Sequence, residues 1–129
     1  MAGISDLSVL LSTMEPILWP APYGIVVVAE GTAIPGAFAE IAEAEGRTVI
    51  AEAQALARHH LAVEPEWARI SLSVHSDLAA VGLTAAISAA LAARRISANI
   101  VAGFYHDHVF VQWSRRHDAM AALKEVSHA

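Results

Sequence analysis

The chain of 129 residues has no cysteine. That excludes a disulfide framework, a thiol nucleophile and a thiolate zinc site. Charge is also scarce: Asp, Glu, Lys and Arg together make up 16% of the residues, with a net charge of −5. So little charge covers a surface poorly, and self-association, most simply a homodimer, is expected. Basic residues adjoin only at Arg94-Arg95 and Arg115-Arg116, which argues against nucleic acid as a partner. The longest uncharged apolar run, Leu78 to Ala93, falls short of the ~20 residues a spanning helix needs. The opening MAGISDLSVLLS lacks a basic stretch and carries Asp6, so neither a signal peptide nor a membrane partner is expected, and the reading is of a cytoplasmic protein. No G-x-S-x-G elbow, phosphate loop or dinucleotide glycine pattern occurs, and no histidine falls in a recognisable triad. The expectation is a protein that is not an enzyme and needs no cofactor.

Hydrophobic residues are plentiful, at 56%. At this length the chain makes one domain or two very small ones and buries roughly two-thirds of its unfolded surface. Leu7, Leu10, Leu11 and Met14 recur at helical spacing, so a first helix capped by Ser5 or Asp6 is predicted. Ile17 to Trp19 and Ile25 to Ala29 read as strands on either side of a proline-rich turn. A helix opening near Pro35 and closing at Gly46 is predicted next. Its inner face would hold Phe38, Ile41 and Ala42. A strand from Thr48 to Ala51 and a short helix from Ala53 to Leu61 follow. Glu64-Pro65-Glu66 is the one linker-like stretch, which divides the chain into halves 1–63 and 64–129.

In the second half, Ile70, Leu72 and Val74 alternate with Ser71, Ser73 and His75, the pattern of a strand with one buried face. A helix is predicted from Asp77 to about Arg95, capped by Ser76 or Asp77. Its large residues, Leu83, Ile87 and Leu91, lie opposite a small-residue side of Gly82, Ala85, Ala89, Ala92 and Ala93, suited to close packing. Ala98 to Tyr105 and Val109 to Trp113 form a hairpin closed near His106-Asp107-His108, and a last helix runs from His117 to Val126. Each half is thus an incomplete β-α-β-β-α-β unit. The fold class is α+β and ferredoxin-like, with antiparallel sheets and helices on one face.

The motif H-S-D-L-A-A-V-G-L between a strand and a helix, followed by I-S-A-N-I-V and a hairpin, resembles an ACT domain. ACT domains are βαββαβ regulatory modules that bind amino acids and other small ligands. In the aspartate kinase variety a turn before the helix and an Asn-Ile pair frame the ligand, matching His75 to Leu83 and Asn99-Ile100 here. The whole chain is similar to small stand-alone bacterial proteins with paired ACT-like halves, whose motifs match Leu7 to Pro16, Val74 to Ala85 and Asn99 to His108. Two features depart from the pattern: Val81-Gly82 stands where many ACT domains have Pro-Gly, and no final strand follows the last helix.

The resemblance implies a non-enzymatic regulatory module with an amino-acid site at His75, Ser76, Asp77, Leu78, Val81, Gly82, Leu83, Asn99, Ile100 and Val101. Helix amides would hold a carboxylate, and Asn99 offers a donor and an acceptor. Two alternatives stand beside it. One is a structural or interaction protein without a ligand. The other is a metal-dependent protein using His106 and His108, which share a strand face but are too few to hold a metal alone.

Overall fold

The computed structural model describes residues 3, 6–75 and 77–127. The chain opens with helix α1 (Leu7–Thr13) and strands β1 (Pro16–Leu18) and β2 (Tyr23–Val28). Asp6 caps α1 by accepting from the Val9 amide at 3.0 Å, as expected. Strands β3 (Ala39–Glu43) and β4 (Gly46–Glu52) and the one-turn helix α2 (Ala53–Ala57) follow. The second half supplies β5 (Trp67–Leu72), α3 (Leu83–Ala93), β6 (Asn99–Ala102), β7 (Asp107–Gln112) and α4 (Arg116–Ser127).

One predicted helix is a strand. Residues Ala39–Glu43 pair antiparallel with Gly46–Ile50, and the Phe38 amide extends the ladder to the Ile50 carbonyl at 2.8 Å. Ala and Glu favour a helix locally, but the edge of β4 needs a partner, and pairing outweighs a weak propensity. Cross-strand contacts support the hairpin: Thr48 donates to Glu43, and Arg47 lies 3.6 Å from Glu40. Ile41, expected inside, is instead exposed.

All strands join one antiparallel sheet in the order β3-β4-β2-β5-β7-β6, with β1 also pairing β5. The fold is therefore mixed α+β with a curled antiparallel sheet, consistent with paired ferredoxin-like units. β1 and β2 run in the same direction past β5. Pro16, Ile17 and Leu18 face Leu72, Ser71 and Ile70, and after the bend at Trp19–Pro22 only Tyr23 meets Trp67. β1 thereby fills the place that a closing strand after α4 would occupy. This is how the missing last strand is supplied: the order β1-β5-β7-β6 is a complete four-stranded unit.

The alternation read in β5 sorts its two faces. Ala68, Ile70 and Leu72 are buried with Leu10 of α1 and Met14 just after it, Leu83, Ile87 and Leu91 of α3, and Leu123 of α4. A smaller cluster of Val28, Val49, Ala51 and Leu56 lies under α2. On the other face of the sheet, Tyr23, Ile50 and Phe110 form a third cluster, with Phe38 folded against them. The small side of α3 (Ala85, Ala89, Ala92 and Ala93) is exposed within the single chain.

Although it lies in the first half of the sequence, α1 packs on the helices of the second. Leu10 is fully buried there. Leu10→Ala should therefore cost about 2–5 kcal/mol in urea unfolding. A loss below about 1 kcal/mol would show that α1 is not part of this core.

Candidate functional site

The segment between β5 and α3 is built in steps. Beyond β5, the Ser73 amide donates to the Glu15 carbonyl at 3.0 Å, and the Glu15 amide donates to the Ser73 hydroxyl at 3.0 Å. These bonds pin the strand end to the start of β1. Asp77 then closes a turn: its carboxylate accepts from the Ala79 amide at 2.8 Å, and its carbonyl accepts from Ala80 at 2.9 Å. The expected helix start at Asp77 is thus corrected. The side chain and carbonyl of Asp77 engage the backbone two and three residues on, which favours a turn over helix.

Helix α3 begins at Leu83, after Gly82. Gly82 has φ +104°, and a Cβ there would lie 2.9 Å from Leu7 Cδ2. Its role is conformational, and it lets α1 approach. Among the described residues no side chain caps α3, and its first helical bond runs from the Ala86 amide to the Gly82 carbonyl at 2.9 Å. The amides of Leu83, Thr84 and Ala85 are therefore the orphan donors of the first turn.

A small cavity of about 80 Å³ sits at this end of the helix, lined by Asp77, Leu78, Ala80, Leu83, Thr84, Ala102 and Asp107. Of the residues expected to form a site, it brings together Asp77, Leu78 and Leu83. His75 lies apart, its ring 5.3 Å from Tyr105 and 6.2 Å from Phe104. Val81 is 83% exposed. Asn99, exposed, opens β6 opposite Phe110. Ile100 packs on the helix-side core, and Val101 on the opposite face. Ser76 lies outside the described residues.

Thr84, Ala102 and Asp107 are cavity residues that sequence reasoning did not single out. Asp107 was legible only as a turn residue. The hairpin closes earlier than expected, where the Gly103 amide bonds the His106 carbonyl at 2.9 Å. A Cβ on Gly103 would meet that carbonyl at 2.8 Å, so the turn needs glycine there. Asp107 and His108 are consequently strand residues. A wider recess, about 720 Å³, lies elsewhere, at the end of β2 and the tip of the β3–β4 hairpin.

His106 and His108 do not gather a metal-ligand set: no group of three or more His, Cys, Asp or Glu side chains stands ready for a metal among the described residues. The Nδ1 atoms of both face protein groups. His106 Nδ1 is 3.3 Å from the Val74 carbonyl, and His108 Nδ1 is 2.7 Å from the Ser71 hydroxyl.

His108 belongs to a polar cluster on the face of β5 away from the helices. Trp19 Nε1 donates to the Ser71 hydroxyl at 2.7 Å, which leaves the hydroxyl proton for Nδ1 of a neutral imidazole. The Arg69 guanidinium lies between two rings, 4.1 Å from the centroid of Trp19 and 4.1 Å from that of Phe38. Arg69 also donates to Tyr23 Oη at 3.0 Å. Burial, then the charge of Arg69, then His106 lower the His108 pKa from 6.5 to about 4.

Residues 62–125 and residues 2–66 each match a model of the ACT domain. The chain belongs to the ACT domain family. ACT domains are regulatory modules for small molecules, amino acids among them, and are not themselves catalytic. Among solved structures, the chain is similar to a Vibrio cholerae protein of unknown function described as a possible transport protein. The two are 38% identical, with a TM-score of 0.82, over 98% of this chain and 99% of that one. An Agrobacterium tumefaciens protein shares the fold at 15% identity and a TM-score of 0.73, covering 88% and 89% of the two chains. A chain of an aspartokinase shares it at 11% identity and a TM-score of 0.60, covering 89% and 98%. No curated protein matches the sequence. Among the described residues, no helix of this ACT protein is long and apolar enough to cross a membrane.

The lowered His108 pKa has a definite sign. Between about pH 4 and 6.5 the unfolded chain takes up a proton that the native ring refuses, so stability is full above pH 6.5 and falls as the pH drops toward 4. One proton sets a ceiling of about 1.4 kcal/mol per pH unit, and solvent reaching the ring lowers it. Thermal melts should therefore show a steeper acid loss in the wild type than in His108→Gln. Equal slopes would mean that His108 titrates normally.

Proposed function

We propose that this ACT protein is a non-enzymatic, cytoplasmic regulatory module. It binds an amino acid at the start of α3 and acts as a homodimer. The observation that carries the ligand reading is the cavity at an uncapped helix end, bordered by two carboxylates. An amino acid's carboxylate suits the orphan amides of Leu83, Thr84 and Ala85, where the helix dipole favours an anion. Its ammonium suits Asp77 and Asp107. The remaining lining, Leu78, Ala80, Leu83 and Ala102, is apolar and matches a small uncharged side chain. His75, Ser76, Val81, Gly82, Asn99, Ile100 and Val101 complete the site only if the loop before α3 and β6 close around the ligand. Support for the dimer is the low overall charge and the exposed small-residue side of α3.

Twenty amino acids screened by thermal shift test the ligand reading. A ligand at a hundred times its dissociation constant adds about 2.7 kcal/mol if it binds only the folded state. Thr84→Glu places a carboxylate in the first turn, where it should occupy the anion position and stabilise the free helix by about 0.3–1 kcal/mol. The expected result is a shift in the wild type that disappears in Thr84→Glu, with the free variant melting no lower. No shift with any amino acid, or an unchanged shift in the variant, would sink the reading. Gly82→Leu is not a usable test, because it would strain the backbone and strike Leu7.

A further inference from the structure

The turn between β6 and β7 carries residues that a turn does not need. Phe104 and Tyr105 hold its two middle positions, inside the bond from the Gly103 amide to the His106 carbonyl. Short hairpin turns favour Asn, Asp and Gly in such places. The matching hairpin of the first half ends its ladder at Glu43 opposite Gly46 and carries Ala44 and Glu45 there. Nor do the two rings serve the core: Phe104 is 61% exposed and Tyr105 63%. They gather instead with His75. The ring centres of Phe104 and Tyr105 are 5.0 Å apart, and the His75 ring lies close to both. The three planes are inclined to one another by 43°, 51° and 76°, so they form a corner of aromatic surface rather than a stack.

This corner borders the cavity beside α3. Ala102 and Asp107, the pair that ends the β6–β7 ladder and carries the turn, both line the cavity. So does Asp77, two residues after His75. At about 80 Å³ the cavity is well below the few hundred Å³ of an ordinary ligand pocket. A ligand seated there by its carboxylate must extend beyond it, and the segments that border it carry the three rings. No Lys or Arg occurs from Ile70 to Ala93 or from Ile96 to Gln112, whereas each of these segments holds an aspartate. The surroundings therefore suit a positive group.

We propose that the rings of His75, Phe104 and Tyr105 receive the methylated nitrogen of an N-methylated amino acid, a betaine-like ligand. The inference rests on the amino-acid reading of the α3 cavity and names the ligand class. An aromatic face attracts a cation within about 6 Å of the ring centre. It does not replace the strong acceptors that the three N–H groups of a primary ammonium require. A fully methylated nitrogen keeps the charge, has no N–H to satisfy, and presents methyl groups to the rings and to the apolar lining of Leu78, Ala80 and Ala102. Asp77, whose carboxylate already accepts from the Ala79 amide, contributes its charge through space.

The experiment is calorimetric titration of the full chain with glycine and with glycine betaine, which differ only in three methyl groups on the nitrogen. The wild type should bind betaine at least about tenfold more tightly than glycine, and betaine should shift the ring proton resonances of Phe104 and Tyr105. Tyr105→Leu and Phe104→Leu keep apolar bulk at exposed positions but remove the aromatic face. Each should weaken betaine severalfold and leave glycine unchanged. If another amino acid stabilises the protein while betaine binds no more tightly than glycine, the amino-acid reading stands and this inference falls. It also falls if both leucine variants bind betaine as the wild type does, or if betaine binds without moving the ring resonances. No binding of betaine or of any of the twenty amino acids overturns both.

Discussion

Strand β5 is paired on both edges and buried on both faces, and the rest of the molecule is placed by what it bonds to there. One edge meets β7 from Trp67 to Ser71. The other meets β1 at one end and Tyr23 at the other, with the Trp19 amide bonded to the Arg69 carbonyl between them at 2.9 Å. A buried strand cannot leave its backbone groups unpaired without cost. The N-terminal segment is drawn across the sheet to meet that need, and it carries α1 into the helix layer of the second half. Each half alone would lack part of its sheet or its core.

The two faces of β5 use different physics. Toward the helices, burial of Ala68, Ile70 and Leu72 is ordinary apolar packing. Toward the other face, Arg69 and Ser71 are taken out of water together. The Arg69 Nε is buried with no hydrogen-bond partner among the described residues, a cost that stacking on Trp19 and Phe38 offsets. Because Phe38 comes from the loop before β3, this stack fastens the curl of the sheet. Phe38 also meets His108 at 4.8 Å between ring centres, which places the neutral imidazole at the same junction.

The cavity at α3 and this junction lie on opposite faces of adjacent residues of β7. Asp107 borders the cavity, and His108, the next residue, bonds Ser71 on the far side. Alternation along a strand forces that arrangement. The cavity and the contact between the two parts are thereby one residue apart along β7.

Much of this was readable in the residues. Period-two alternation marked β5, helical spacing marked α1 and the inner side of α3, and the motifs around His75 and Asn99 named the family. What these signals share is that they are local: burial of one face imposes a period on the chain. Local preference fails where tertiary partners outweigh it. Ala39 to Glu43 reads as helix by composition and is a strand because β4 offers an edge. Asp77 reads as a helix cap and instead holds a turn, with the helix delayed to Gly82, where α1 approaches. Nor could periodicity reveal that β1 completes the C-terminal sheet, or that Trp19, Phe38 and His108 meet around Arg69. Those contacts join residues far apart in the chain, and hydrophobic patterning specifies which face is buried but not against what.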